Sequence, residues 1–397
     1  MVCVRSWLEI SKTKLAHNVR LVREAAHEAE VVAVIKADAY GHGADVVAPM
    51  LLEEGVRWLG VNDLDEALVM RAALHVNEAE EREVNLLVMC GMEPHEAPFL
   101  VQLNATPVVW MPEQIDALNE AGRMENKRVA VHLEIDTGMA RQGATVGEEL
   151  DDLLRALADS EYVRCEGVFT HLCCSEVAGA KTTQVSMRKF EQALEQVHAG
   201  GIIPQYLHIA NTSAVDEQTV MPWMQALAKL DSATVMVRPG LALYGYALDV
   251  EGGHGVMDAE LQPVMEWKTR VRALREIAEG ATVGYGATFM APKAMRLALL
   301  QVGYADGFTR AASSGMGNGW VVVRGQRARV VGRVSMNMTV VDVTEIADVE
   351  VGDEVTLIGE GVSAEDHARW AGTIVYDVLC GMKAAARDVE MDEDEDE

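Results

Sequence analysis

The sequence has little positive charge and no long apolar run. Only 10 of its 34 Lys and Arg residues are lysines, against 62 Asp and Glu, and the formal net charge is −28. Such an acidic surface disfavours nucleic acid and anionic membranes as partners, so a phosphate-bearing ligand requires a local positive site. The acidity resembles a salt-adapted surface, and acidic tuning for solubility explains it equally well.

Other absences narrow the class of protein. No stretch approaches the roughly twenty apolar residues of a membrane span, and the opening residues lack the apolar core of a signal peptide. These absences predict a cytoplasmic protein. The six cysteines have no CxxC spacing, which argues against a disulfide framework and a zinc site, and we interpret them as mostly buried thiols. Residues 391–397 form an acidic tail that we expect to be disordered.

Short apolar strands alternate with amphipathic segments over the first 250 residues. The eight candidate strands are Val31–Ile35, Trp58–Val61, Asn85–Met89, Thr106–Trp110, Val129–Ile135, Glu166–Thr170, Tyr206–Ile209 and Thr234–Val237. Eight strands in this length predict a closed (β/α)₈ barrel, although periodicity alone leaves an open sheet possible. We assign the barrel to residues 1–250.

The pattern changes after residue 250. From Met265 the chain reads MEWKTRVRALREI, whose period of two is typical of a half-exposed antiparallel strand. Further strands are predicted at Trp320–Val323, Ala328–Val334, Thr339–Val343 and Glu354–Ile358. A helical hairpin follows, with Ser363 and Asp366 as a cap and a second helix near Thr373. The predicted α/β fold is therefore an N-terminal (β/α)₈ TIM barrel with a C-terminal, mostly antiparallel β domain over residues 251–390.

One stretch, VVAVIKADAYGHG at residues 31–43, carries an unusual lysine. A buried strand delivers Lys36 at its carboxyl end, and Tyr40 follows. A lysine among apolar neighbours loses solvation of its ammonium form, which favours the nucleophilic amine that a Schiff base requires. The simpler interpretation is a lysine that snorkels from the end of a core strand.

Polar residues concentrate where the predicted barrel strands end, the place where barrel enzymes have their active sites. They are Lys36, Tyr40, the segment 136–141, His171, Asn211, Thr212 and Arg238. Each alone has an ordinary structural explanation, as a surface cation, a core histidine or a helix cap. Their shared position at one rim favours a functional site.

Two segments of this rim suggest a phosphate site. In RPGLALYG the amides of Gly240 and Leu241 follow a proline, and IANTSA offers Asn211 and Thr212. These groups would form a phosphate-binding nest. Together with a Schiff-base lysine, such a nest points to pyridoxal 5'-phosphate. Arg238 is then a candidate partner of the pyridine nitrogen, and its permanent charge would keep that nitrogen unprotonated and limit the chemistry to proton removal and return.

In order along nearly the whole chain, the motifs AVIKADAYGHG, EIDTGMARQG, THL, HIANTSA, VRPGLALYG, VGYGATF, GRVSMNM and IVYDVLC resemble alanine racemase. The resemblance implies a fold type III pyridoxal phosphate enzyme that acts as a head-to-tail homodimer with shared active sites. Lys36 resembles the base for the D face of the substrate. Tyr285 resembles the base for the L face, reaching the site from the partner subunit. Two bases are the simplest way to invert a stereocentre by proton transfer.

The resemblance also implies supporting roles. His171, near Arg238, would stabilise the phenolate of Tyr285. Arg141 resembles the arginine that contacts the cofactor's phenolic oxygen and the substrate carboxylate, and Met336 resembles the residue whose amide binds that carboxylate across the dimer. The implied cofactor-binding residues are Lys36, Tyr40, His171, Asn211, Thr212, Arg238, Gly240, Leu241 and Tyr376.

Three positions depart from the family pattern. Glu134 stands where many members carry a lysine that becomes carbamylated, and we hypothesise that it orients Arg141 by a charge-assisted bond. Asn337 replaces the usual aspartate and Thr212 the usual serine, so substrate breadth stays open.

The sequence therefore predicts an amino-acid isomerase that interconverts L- and D-alanine for cell-wall precursors. A broader or serine-preferring racemase is the close alternative. A non-catalytic pyridoxal phosphate carrier would lack Tyr285 and the β domain. A fold type III decarboxylase would favour an acidic partner of the pyridine nitrogen over Arg238.

Overall fold

The computed structural model describes residues 5–27, 29–76, 84–384 and 386–390, so the predicted acidic tail and Cys3 lie outside it. Contacts group the chain into a barrel unit, Leu15–Ala39 with Ala44–Gln262, and a β unit. The β unit comprises the described residues of Met1–Lys14, Tyr40–Gly43 and Pro263–Glu397. The limits 1–250 and 251–390 remain a prediction. The two units differ from them by giving the amino-terminal segment and residues 40–43 to the β unit, and residues 251–262 to the barrel unit.

Eight parallel strands close the barrel unit, whereas the first strand of the chain, β1 (Ser6–Ser11), belongs to the β unit. The barrel strands are β2 (Glu30–Val34), β3 (Trp58–Val61), β4 (Asn85–Val88), β5 (Ala105–Val109), β6 (Val129–Ile135), β7 (Val163–Thr170), β8 (Tyr206–Asn211) and β9 (Thr234–Arg238). They pair in chain order, and β9 closes on β2. The predicted barrel is confirmed, and the open sheet is excluded.

Helices alternate with these strands. They are α1 (Lys12–Ala25), α2 (Lys36–Tyr40), α3 (Ala44–Glu53), α4 (Leu64–Val76), α5 (Ala97–Gln102), α6 (Pro112–Glu125), α7 (Glu148–Asp159), α8 (Lys181–Ala199), α9 (Thr212–Glu217) and α10 (Val220–Asp231). In α7 the leucines at 150, 153, 154 and 157 are buried, and this spacing forms one apolar face of a helix. Burial of such faces holds the helices to their unit.

The barrel interior is filled by side chains rather than open. Its apolar cluster consists of Val32, Trp58, Leu87, Val108, Phe169 and Met236. Two buried histidines, His132 on β6 and His208 on β8, also lie in this interior. Buried polar groups normally have hydrogen-bond partners, so these two rings require an explanation from their contacts.

The β unit is built on an eight-stranded sheet with the order β15-β14-β17-β10-β1-β18, in which β13 pairs with β10 and β16. The strands are β10 (Met265–Ile277), β11 (Thr282–Val283), β12 (Phe289–Met290), β13 (Met295–Leu300), β14 (Trp320–Val323), β15 (Gln326–Arg329), β16 (Thr339–Asp342), β17 (Glu354–Ile358) and β18 (Ala386–Glu390). β11 and β12 form a separate hairpin, and only the β1–β18 pair is parallel among the paired strands of the described β unit. The mostly antiparallel β domain is confirmed.

The helical hairpin at the end of the β unit consists of α11 (Ala364–Ala371) and α12 (Val375–Cys380). Ser363 accepts a hydrogen bond from the amide of Asp366, whose side chain accepts one from the amide of Ser363, so the predicted cap is confirmed. The predicted strand Ala328–Val334 is shorter, because β15 ends at Arg329 and Gly332 has a φ of 72°. A residue with positive φ does not continue a regular strand.

Candidate active site

The structure places the predicted residues of the barrel unit at the carboxyl ends of its strands. Lys36 begins α2 after β2, Arg141 lies in the loop after β6, and His171 follows β7. Asn211 and Arg238 are the last residues of β8 and β9, Thr212 begins α9, and Gly240 and Leu241 lie in the turn after β9. Parallel strands of a closed barrel present these ends at one rim, where barrel enzymes have their sites.

The turn that carries Lys36 is left-handed. Ala37, Asp38, Ala39 and Tyr40 have φ between 52° and 56°, a conformation that costs non-glycine residues roughly 1–2 kcal/mol each. Side chains hold the turn at both ends, because Glu66 accepts a 2.8 Å hydrogen bond from the amide of Ala37 and Asp38 accepts one of 2.8 Å from that of Ala44. Strain of this kind concentrates at functional sites.

Arg238 is buried in the barrel and is held from several sides. Its guanidinium donates to His208 Nδ1 at 2.8 Å, to the carbonyl of Thr170 at 2.9 Å and to His171 Nδ1 at 3.3 Å. Its Cζ lies 4.7 Å from the ring centroid of Phe169. Burial lowers the pKa of Arg238 to about 10, still well above neutral, so the guanidinium is charged at physiological pH.

His171 is neutral at physiological pH. Burial lowers its pKa to about 3, with further lowering by the charges of Arg238, Arg141 and Lys36. Because Arg238 can only donate, His171 Nδ1 must accept, and the single ring proton of the neutral histidine therefore lies on Nε2. His171 thus offers one N–H donor on the side of its ring away from Arg238.

Glu134 is buried on β6 and accepts a hydrogen bond from the side-chain amide of Gln142. The loop folds back onto the strand, since Ala144 donates to the carbonyl of Glu134 at 2.9 Å. The hypothesised hydrogen bond between Arg141 and Glu134 is not among the contacts of the described residues. Arg141 is exposed, and the neighbouring Gln142 contacts Glu134 instead. Burial raises the pKa of Glu134, while Gln142 and the charges of Arg238 and Arg141 oppose that rise.

The predicted phosphate nest is arranged differently from the sequence-based expectation. The hydroxyl of Thr212 accepts from the amides of Gly240 at 3.1 Å and Ala242 at 3.3 Å. Asn211 caps α9 by accepting from Ala214 at 3.0 Å. The amide of Leu241 has no protein acceptor among the described residues. Of the two amides expected to face an anion, Leu241 is therefore the one without an internal acceptor.

Within the β unit, Tyr40 and Tyr376 face each other with ring centroids 5.8 Å apart. Burial raises the pKa of the Tyr40 phenol far above its ordinary value, and the neighbouring Tyr376 and Cys380 add to the rise. Tyr40 is consequently a neutral hydroxyl and can donate a hydrogen bond to an anion. This pair brings together two of the predicted phosphate-binding residues.

The remaining predicted residues of the β unit lie on its surface. Tyr285 is 73% exposed in a short 3₁₀ turn, and Met336 is 56% exposed. The backbone amide of Met336 has no acceptor among the described residues, while its carbonyl accepts from Ala305 at 2.9 Å. Asn337 is half-buried beside it. Exposed aromatic and methionine side chains are enriched on surfaces that contact another chain.

Family models extend over most of the chain. The model of the alanine racemase N-terminal domain matches residues 10–248, and that of the C-terminal domain matches residues 264–389. The chain belongs to the alanine racemase family.

Individual relatives agree with this assignment. Alanine racemase of Symbiobacterium thermophilum is 34% identical over 382 residues, which are 95% of this chain and 94% of that protein. The solved alanine racemase of Clostridium difficile 630 has a TM-score of 0.87 at 28% identity, covering 98% of this chain and 97% of that one. A structure of alanine racemase from Bartonella henselae with covalently bound pyridoxal phosphate has a TM-score of 0.79 at 26% identity, covering 97% and 99%.

Sequence reasoning missed several residues that contact the predicted site of this racemase. Gln142 is the partner of Glu134, and Phe169 and His208 lie against Arg238. A partial signal for His208 was present, because His208 and Arg238 lie on the neighbouring strands β8 and β9. The amide of Gln142 had no such signal, since its position depends on how the loop folds back.

The expectation of mostly buried thiols is wrong for Cys90, Cys173 and Cys380, which are exposed near the ends of β4, β7 and α12. Strand and helix ends leave short side chains less covered than element interiors. Among the described residues, no helix of this racemase combines the length and apolar character needed to cross a membrane.

Proposed function

We propose that this protein is a pyridoxal 5'-phosphate-dependent racemase that interconverts L-alanine and D-alanine with Lys36 and Tyr285 as its two bases, and that it supplies D-alanine for cell-wall precursors. Membership of the alanine racemase family supports the reaction class. The remaining support comes from the chain's own residues.

One observation carries the cofactor assignment. The Nε–H of Arg238 is buried at the strand ends without an acceptor among the described residues. A buried donor without an acceptor is unfavourable, so this position favours a ligand that brings an acceptor of its own. The lone pair of an unprotonated pyridine nitrogen is such an acceptor.

The other residues fit the same group. Lys36 would hold it covalently, and the hydroxyl of Thr212 and the amide of Leu241 would donate to its phosphate. The family resemblance implies the same task for Tyr40 and Tyr376, which face each other in the β unit. When bound, pyridoxal phosphate withdraws electrons from the α-carbon of the amino acid and makes its proton acidic. Arg238 remains charged and would keep the pyridine nitrogen from being protonated, which restricts the site to proton exchange.

The two bases need different support. Lys36 Nζ would take and return a proton on the D face of the substrate. Tyr285 would do so on the L face, and as a weak base it needs a neighbour that stabilises its phenolate. The tautomer of His171 suits that task, since Arg238 leaves its Nε2–H free to donate to a phenolic oxygen.

We further propose a homodimer in which each site is shared. Tyr285 and Met336 are exposed on the β unit, and Tyr285 and the amide of Met336 would both act in the partner's site. Arg141, exposed in its loop, would bind the carboxylate of the amino acid together with that amide. Dimerisation would cover apolar side chains that the single chain leaves exposed.

The decisive experiment uses the purified protein with pyridoxal phosphate and separate samples of L-alanine and L-serine. Formation of D-alanine at a higher kcat/KM than D-serine supports the proposal. Faster serine turnover would identify a serine racemase, consistent with Asn337 where the family usually has aspartate. Cofactor binding without D-enantiomer in either sample would contradict the proposal and favour a carrier protein.

A further inference from the structure

A line of buried polar side chains runs from Arg238 through the barrel interior toward the opposite end. Arg238 donates to His208 Nδ1 at 2.8 Å, and His208 Nε2 lies 2.9 Å from His132 Nδ1. His132 Nε2 lies 3.8 Å from Glu166 Oε2. Both histidines are fully buried. We refer to Arg238, His208, His132 and Glu166 as the relay.

The direction of the hydrogen bonds in the relay follows from Arg238. A guanidinium has only donors, so His208 Nδ1 must accept. Burial lowers the pKa of His208 and His132, with the charge of Arg238 adding to it, so both rings are neutral. The proton of His208 therefore lies on Nε2 and is donated to His132 Nδ1. His132 must then carry its own proton on Nε2, which faces Glu166.

Glu166 is suited to receive that proton as a hydrogen bond. Arg164 donates to its Oε1 at 2.7 Å, which leaves Oε2 toward His132. Burial raises the pKa of Glu166, but the nearby His132 and Arg164 lower it by more, so Glu166 is ionised. His132 Nε2 has no acceptor within hydrogen-bond distance among the described residues, and Glu166 is the anion it faces.

The fold makes room for the relay at one position. Gly167 of β7 lies between His132 of β6 and Tyr206 of β8 in the strand register. A Cβ at residue 167 would lie 2.7–2.8 Å from three atoms of the His132 ring. The bare glycine therefore lets the ring cross β7 and reach His208 on the next strand.

The far end of the relay opens into a polar cavity of about 120 Å³. Glu166, Arg164, Lys127, Asn85 and Thr106 are among its lining residues. Four of these lie at or next to the amino-terminal ends of strands, the end of the barrel opposite the proposed site. A cavity of this size and polarity holds water, so Glu166 is a carboxylate solvated on one side.

We propose that Glu166 is a positioning residue that fixes the tautomers of His132 and His208, and through them the donor geometry of Arg238, from the opposite end of the barrel. Without an anion at Glu166, only the chain of donors that starts at Arg238 favours a proton on His132 Nε2. If that proton moved to Nδ1, two N–H groups would face each other between the histidines, and His208 would change its tautomer in turn. Its Nδ1–H would then oppose the Arg238 donor.

The inference rests on the proposed function only for its effect on catalysis, and the tautomers are measured separately. In holoenzyme labelled with ¹⁵N-histidine, we expect NMR shifts that assign both rings as neutral with the proton on Nε2. Replacement Glu166→Ala should populate the second tautomer of both rings and lower kcat about tenfold with little change in KM. Glu166→Gln, which keeps an acceptor oxygen, should restore the wild-type tautomers and most of kcat.

Glu161→Ala is the matched control, because Glu161 is exposed just before β7. It should leave both tautomers and kcat unchanged. A proton on Nδ1 of either ring in the unaltered holoenzyme would overturn the proposal, whether or not any variant folds. Unchanged tautomers in Glu166→Ala, or no rescue by Glu166→Gln, would also overturn it. If Glu166→Ala changes the tautomers but the unaltered protein has no racemase activity, the result would support the relay and contradict the proposed function.

Discussion

Glu134 combines a proposed role in the site with an unfavourable environment. It is buried, accepts from Gln142 and lies near the charges of Arg238 and Arg141. Burial raises its folded-state pKa above the unfolded value. Such a group contributes stability that is present below the unfolded pKa and is lost as the pH rises through the folded pKa. The ionised form therefore lowers stability near neutral pH.

We expect Glu134→Gln to increase the free energy of unfolding at pH 8 by roughly 1 kcal/mol, because glutamine resembles the protonated acid. The difference in the free energy of unfolding between the variant and the wild type should become smaller toward pH 5. If the charge of Glu134 orders the loop that carries Arg141, kcat should fall. Urea unfolding at several pH values and steady-state racemisation measure both effects, with exposed Glu161→Gln as the control. A variant that is stabler and fully active would show that the charge of Glu134 serves no purpose in the site.

For individual residues, the sequence predicted their positions at strand ends better than it predicted their hydrogen-bond partners. Lys36, His171, Arg238 and Thr212 were placed at strand ends because strand periodicity fixes where a strand stops. The partner of Glu134 was predicted as Arg141 and is Gln142. Which of two adjacent loop residues points inward depends on backbone dihedral angles that the residue types do not specify.

The left-handed turn α2 is the element that positions Lys36. Ala37 has a φ of 52° and is exposed. Its Cβ therefore makes this backbone conformation unfavourable, and the side chain buries no surface that would compensate. Glycine has no such penalty at positive φ. In the interior of a right-handed helix, by contrast, glycine is about 1 kcal/mol less favourable than alanine.

The handedness of α2 thus predicts a difference between two alanine-to-glycine replacements. We expect Ala37→Gly to change the free energy of unfolding by less than about 0.5 kcal/mol, or to increase it. Ala226→Gly, at an exposed position inside α10, should decrease it by about 1 kcal/mol. Denaturant unfolding compares the two variants directly. Equal destabilisation would mean that α2 is not left-handed in solution.

Elements with strong periodicity were predicted with nearly correct bounds, as with β6 at Val129–Ile135. The left-handed turn was not predicted, since KADAY contains no glycine and alanine favours right-handed helix. Tertiary contacts from Glu66 and the capping by Asp38 override that preference.

For the whole molecule, the proposed shared site makes a prediction about mixed dimers. Lys36→Ala and Tyr285→Phe subunits should each be nearly inactive alone in the L-to-D direction. In a mixed dimer, one site would combine the intact Lys36 of one subunit with the intact Tyr285 of the other. Random pairing gives mixed dimers half of the population, so refolding an equal mixture should restore about a quarter of wild-type activity.

The control for that experiment is a mixture of each variant with the double variant, which contains no intact pair and should stay inactive. Restoration is expected only if the two bases come from different subunits. If mixtures that contain mixed dimers stay inactive, the result would contradict the shared site and place both bases in one chain.

The central claim is that Lys36 and Tyr285 act on opposite faces of the substrate, and α-proton exchange in heavy water tests it most directly. Tyr285→Phe holoenzyme is incubated separately with L-alanine and D-alanine, and deuterium incorporation is followed by NMR. We expect exchange from L-alanine to fall far more than exchange from D-alanine, because Lys36 still serves the D face. An equal loss of exchange from both enantiomers would contradict the two-base assignment.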